Sequence, residues 1–167
     1  MNEVQFWATI EAAWTNTPKA QLLRQQVLTS NEESAVLELA DSVSTDIAES
    51  LQHQLSALDQ AELHQFILLM EEKLYAIDRE EIHRYTDGSD DGFLYCRCFI
   101  VGMGHEYYDK INQTPSAATM DAEAEAIGFV GYTAYEGKFN DEFERYSVHS
   151  IESCSNPVGW PNENDDS

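Results

Sequence analysis

The sequence predicts an all-α fold: a single compact multi-helix domain over residues 1–150, followed by an irregular acidic tail over 151–167. Three observations predict it. Apolar residues recur at three- and four-residue spacing instead of alternating, which is the helical period. Capping signatures stand in front of those stripes. After Asn156 the chain turns to prolines, asparagines and acids, which suit neither pattern. A chain of 167 residues, 43% of them hydrophobic, is one domain's worth and rich enough to bury a core without staples. Such a domain exposes roughly 8,300 Å².

Each element follows from local chemistry. Asn2 is placed to cap the first helix, with Gln5 completing a capping box, and Trp7, Ile10 and Trp14 mark one face. Asn16-Thr17-Pro18 ends it. A short second helix is expected over Lys19 to Leu28, with Leu22, Leu23 and Val27 inward. Ser30 with Glu33 forms another capping-box signature. Val36, Leu39, Ala40, Val43, Ile47, Leu51 and Leu55 then keep a helical period, as one long helix or two with a break near Ser42–Thr45. Asp59 with Glu62 caps the clearest amphipathic helix, whose inner face is Leu63, Phe66, Ile67, Met70, Leu74 and Ile77. Residues 86–92 form a turn cluster. The apolar run from Phe93 to Met103 reads as a buried helix, with a strand as the alternative. Gly104 punctuates it and His105 to Ile111 is helical. A last helix is expected from Thr119 to Tyr135, packed through Met120, Ala124, Ile127, Val130, Gly131 and Ala134, with Gly137 as its stop. Val158 and Trp160 are tail residues suited to docking.

Charge narrows the function. Nine Lys and Arg oppose 31 Asp and Glu, a net charge of -22. Such a surface repels phosphate backbones and anionic lipid, so nucleic-acid and membrane binding are disfavoured, and basic proteins, cationic ligands and metal ions are favoured. Habitat or solubility is the competing explanation. The charge is uneven: residues 31–50 carry six acids and no base, whereas 1–30 and 92–118 sum to zero. No apolar stretch is long enough to span a membrane. Glu3 and the lack of an N-terminal basic cluster argue against a secretory signal. Three cysteines, an odd number, fit a reducing, cytoplasmic setting. Cys96 and Cys98 point about 200° apart on a helix, so they read as buried thiols and not joint metal ligands.

The sharpest local motif is Ser89-Asp90-Asp91-Gly92-Phe93 leading into an apolar run that contains Arg97. The carboxylates can cap first-turn amides, pair with Arg97 about two turns on, or bind a divalent cation. The stretch TDGSDDGFLYCRCFIVGMGHEYYDKI, followed by MDAEAEAIGFVGYTAYEGKF, resembles the bacterial domain-of-unknown-function 4240 family, as does the Phe6-Trp7 pair. By position, the resemblance points to Ser89, Asp90, Asp91, Phe93, Arg97, Gly104, Tyr108, Glu123, Ala134 and Tyr135. It implies a helical fold and a bacterial cytosolic setting, and brings no activity. Cys96 and Cys98 stand where the family usually has bulkier aromatics, and the family usually has a basic residue near His105.

Zincin, nucleophile and phosphate-loop patterns are absent from the sequence, which leaves paired carboxylates such as Asp90 and Asp91 with Glu106 or Glu123 as its only catalytic candidates. His105-Glu106-Tyr107-Tyr108-Asp109 lacks the second histidine of a zincin helix. There is no nucleophile elbow, and Gly102-Met103-Gly104 lacks the lysine and hydroxyl of a phosphate loop. The tyrosines sit among acids: Tyr75, Tyr85, Tyr95, Tyr107, Tyr108, Tyr132, Tyr135 and Tyr146. Aromatic anchors with a carboxylate rim suit capture of a basic protein surface. The expectation is an acidic protein-binding module without a cofactor, in its concrete form an inhibitor or immunity-type partner of a basic toxin or nuclease. Its candidate binding residues are Asp90, Asp91, Arg97, Tyr107, Tyr108, Glu123 and Tyr135. The alternative is a divalent-metal-dependent hydrolase using Asp90 and Asp91.

Overall fold

Helix α1 (Glu3–Thr15) starts where its capping box sets it. Asn2 Oδ1 accepts the Gln5 amide at 3.0 Å, and the Gln5 side chain accepts the Asn2 amide at 2.8 Å. Phe6, Trp7, Ile10 and Trp14 are buried. Helix α2 (Pro18–Ser30) begins with a proline, whose missing N–H is unneeded there. Its inner face differs from expectation. Ala20, Arg24 and Val27 are buried, whereas Leu23 is half-buried and Leu22 is 64% exposed. Leu22 lies about 160° round the helix from Arg24, so the two cannot both face the core.

Asn31 adopts a left-handed conformation (φ 52°) that ends α2. Ser30 therefore stays inside α2, bonding back to the Gln26 carbonyl, and does not cap the next helix. Helices α3 (Glu33–Ser42) and α4 (Ala48–Leu55) run on through a π-helical turn at Val43–Ile47. That turn is the break expected near Ser42–Thr45. Its cause is visible in the spacing. Val43, Ile47, Leu51 and Leu55 recur every four residues, and each such step drifts about 40° in an α-helix. One wider turn keeps the stripe on the core, and all four are fully buried.

Asp59 and Glu62 close the expected box on α5 (Gln60–Ala76), whose whole apolar stripe is buried. A one-turn helix α6 (Glu80–His83) follows. The apolar run is helical, as α7 (Asp90–Gly102), and α8 (His105–Gln113) follows Gly104. After a 3-10 turn (Pro115–Ala117), α9 (Glu125–Phe139) begins later than Thr119 and passes through Gly137. Two backbone facts explain the shift. Asp121 sits at φ 60° and the Ala124 amide donates to the Tyr95 carbonyl, so 119–124 is not helical and Met120 is exposed. Asn140, at φ 51°, supplies the left-handed stop instead of Gly137.

These elements come from a computed structural model that describes residues 1–86, 88–145 and 148–161. Asp87 of the turn cluster, Tyr146 and the acidic end 162–167 lie outside the described residues. Every regular element among the described residues is helical. Helices α7 and α9 form the centre: α9 packs on α4, α5 and α7, and α7 packs on α5 and α8. α1 closes over α4 and α5, and α2 rests on α1 and α3. The exposed area is 8636 Å², close to what the length predicts. Small residues let α7 and α9 meet: a Cβ on Gly128 would stand 2.5 Å from Cys98 Sγ. Cys96 and Cys98 are buried as expected, and Cys154 is exposed.

Residues 151–161 are irregular, as expected, but they are docked on the helices. Ile151 is fully buried, and the Glu80 amide donates to the Gly159 carbonyl at 2.9 Å. Trp160 packs against His83 and Phe93, while Val158 stays exposed.

Candidate functional site

Ser89 caps α7. Its Oγ accepts the Gly92 amide at 3.1 Å. Asp90 and Asp91 occupy the first turn and are exposed, where the positive end of the helix favours carboxylates without a direct cap. The expected lock between these aspartates and Arg97 is not formed. Arg97 points into the core and is fully buried. One guanidinium nitrogen donates to the Leu74 carbonyl at 3.0 Å. Another donates to the Ile151 carbonyl at 2.9 Å and to Ser153 Oγ at 3.1 Å. The group also lies 4.7 Å over the Phe93 ring. Ser153 Oγ in turn donates to the backbone carbonyl of Asp90 at 2.7 Å. Arg97 and Asp90 are thus joined through Ser153 and backbone, while the Asp90 carboxylate faces solvent. Burial pulls the Arg97 pKa below its ordinary value, and the charge of Asp78 acts against that pull.

Asp78 is the residue that sequence reasoning missed. It is fully buried just after α5. Its Oδ1 accepts the Cys154 amide at 3.0 Å and the Trp160 indole N–H at 2.9 Å. Its Oδ2 accepts the Ser155 and Asn156 amides at 2.7 and 3.0 Å. Four donors satisfy one buried carboxylate, which is what makes its burial tolerable. Arg97 holds the carbonyl side of the same segment and Asp78 the amide side. Isolated apolar residues in a polar tail, Ile151 and Trp160, were the available sign of docking.

Tyr107, Tyr108 and Tyr135, expected as anchors for a partner, are buried in the core. Tyr107 is fully buried; burial pushes its phenol up to about 12, with the Thr119 hydroxyl acting the other way. The Tyr108 hydroxyl donates to the Lys73 carbonyl at 3.1 Å, and burial raises its pKa. Gln60 Nε2 donates to the Tyr135 hydroxyl at 2.8 Å, and that ring packs on Phe139 and Phe143. Glu123 is half-buried, and its carbonyl accepts from Ser44 Oγ at 3.2 Å, tying it to the π turn. The seven candidates are not brought onto one surface.

Gly104 has a structural reason. It sits at φ 90°, and a Cβ there would stand 2.2 Å from Glu11 Oε1 and 2.3 Å from Arg24 Nη2. Those two side chains form a bidentate pair at 2.5 and 2.7 Å, and Arg24 Nε donates to the Met103 carbonyl at 2.9 Å. His105 stacks on Trp7 and meets Asp109 at 3.3 Å. Among the described residues, no group of three or more His, Cys, Asp or Glu is arranged to hold a metal ion.

The acids of residues 31–50 face solvent. Glu32, Glu33, Glu38, Asp41, Asp46 and Glu49, along α3, the π turn and α4, are all exposed. None of the six makes an ion pair among the described residues. The chain's cations are largely engaged elsewhere. Arg24 is held by Glu11, Lys73 by Glu3 and Glu72, Arg84 by Glu80 and Arg145 by Glu136. Arg79 and Arg97 donate to backbone carbonyls, and Lys138 donates to those of Ser56 and Leu58.

The protein is therefore an all-helical domain with an acidic surface, and no helix among the described residues is long and apolar enough to cross a membrane. It matches, over residues 1–145, the family described as "Protein of unknown function (DUF4240)", and it belongs to that family. Comparison with curated proteins and with solved structures finds no match in either.

Proposed function

We propose that this chain is an acidic protein-binding module that captures a basic partner. In its most concrete form it is an inhibitor or immunity-type protein that neutralises a basic toxin or nuclease by covering its phosphate-binding surface. One observation supports the reading above the rest: six exposed carboxylates along α3, the π turn and α4 carry no ion pair among the described residues, while most of the cations are tied up within the fold. Unpaired like charges close together along one stretch of chain repel each other, and a cationic partner relieves that repulsion. The same field speeds encounter and excludes anionic competitors. A cytoplasmic setting belongs to the same proposal. No observation favours the metal-dependent hydrolase at Asp90 and Asp91 over it.

The test is capture by the immobilised chain at low salt, compared with a variant carrying Glu38→Gln, Asp41→Asn, Asp46→Asn and Glu49→Gln. All four sites are exposed, so the fold is retained. A basic protein retained stoichiometrically by the native chain, released by salt and lost on the variant, is the expected result. Equal retention by the two chains would remove this face from the account.

A further inference from the structure

We propose that the groove between α2 and α3 is the docking site for a basic amphipathic helix. The inference deepens the reading of this chain as an acidic binding module, and rests on it. It begins from Leu22, which is 64% exposed although its own helix packs on two neighbours. Leu22 stands between two concavities that share it and Gln26. One, of about 410 Å³, is flanked by Pro18, Leu23, Glu38 and Asp46. The other, of about 680 Å³, is flanked by Gln25, Glu32 and Ala35. Together they follow the length of α2, 13 residues or roughly 20 Å. That is room for three to four turns of a partner helix. The start of α2 lies opposite Asp46 and its end opposite Glu32, so the two helices are antiparallel and the groove between them accepts a third as a ridge.

Charge selects the occupant. The rim presents Glu32, Glu38 and Asp46 against Lys19 alone. An acidic helix is repelled, and so is a second copy of a chain with net charge -22. Nucleic acid is repelled too and gains nothing from a leucine. A helix with apolar residues at i, i+3, i+4 and i+7 and Lys or Arg on its flanks satisfies both features: its apolar stripe covers Leu22 and Leu23, and its cations meet the rim. The π turn contributes by holding Asp46 at the groove's end.

The experiment uses two fluorescently labelled peptides of about 18 residues. Both have the same Leu, Lys and Arg content; one carries it in the amphipathic pattern and the other scrambled. Anisotropy titrations at low salt compare the full chain with its Leu22→Asp variant, whose site is exposed and whose fold is checked by circular dichroism. The patterned peptide is expected to bind at least ~tenfold tighter than the scrambled one, with the difference lost on Leu22→Asp. Its amide-shift perturbations are expected on α2 and α3. Equal, salt-labile binding of both peptides would overturn the groove while leaving the acidic reading intact. An undiminished preference on Leu22→Asp would also overturn it. Binding of neither peptide at low salt would overturn both.

Discussion

Replacing Asp78 with asparagine tests the clamp that fixes the end of this fold. Each oxygen of Asp78 accepts two N–H groups from the docked segment. Asparagine keeps one oxygen and turns the other into a donor that faces two donors. Two charge-assisted hydrogen bonds are lost, each worth about 1.5–3 kcal/mol. The expected loss is about 3–5 kcal/mol, bounded above by the cost of letting residues 151–161 detach. Arg97 loses a nearby opposite charge in the same step, which adds to the loss. For a chain of this size that corresponds to a Tm lower by roughly 10 °C. Urea unfolding gives the free energy, and limited proteolysis shows whether the segment beyond His149 opens to cleavage first. Exposed Asp90→Asn is the control. A loss below about 1 kcal/mol, with no new cleavage, would refute the claim that Asp78 carries this docking.

Gly104→Ala is expected to cost about 3–5 kcal/mol in urea unfolding, because it strains a positive φ and drives a methyl into the Glu11–Arg24 pair. Ser89→Ala is expected to cost about 1 kcal/mol and Asp90→Asn or Asp91→Asn about 0.3–1 kcal/mol each, because the serine caps and the aspartates only meet the helix end; a larger effect of the aspartates would reverse that assignment. Burial holds Cys98 and Tyr107 protonated up to about 12. Their unfolded counterparts release protons from about pH 9 and pH 10. The native state binds more protons across that window, so stability is full below it and falls as pH rises towards 12; denaturant midpoints measured from pH 8 to 12 check the sign.

The sequence carried most of the fold and little of the site, for physical reasons. Helix starts were legible at Asn2 and Asp59, because a capping box is a local pattern that local hydrogen bonds satisfy. The α3–α4 register was legible, but its π turn announced itself only as four-residue spacing. Leu22 misled, because an apolar residue on a helix is expected inward and nothing local says that Arg24 takes the inner face. Arg24 does so by finding Glu11 and the Met103 carbonyl, partners distant in sequence. Asp78 was invisible for the same reason: its four donors lie 76 to 82 residues away. The tyrosines showed their aromatic character but not their burial, which tertiary packing decides. Charge was the exception. The six carboxylates of residues 31–50 were counted in the sequence and are exposed in the structure.

The central claim is that this acidic face steers a basic partner, and the association rate tests it most directly. Stopped-flow mixing with the protein recovered at low salt gives that rate as a function of ionic strength. The account predicts a rate that falls at least ~tenfold between about 20 and 500 mM salt, and a flatter dependence for the variant neutralised at Glu38, Asp41, Asp46 and Glu49. A rate unchanged by salt in the native chain, or the same steep dependence in the variant, would contradict it.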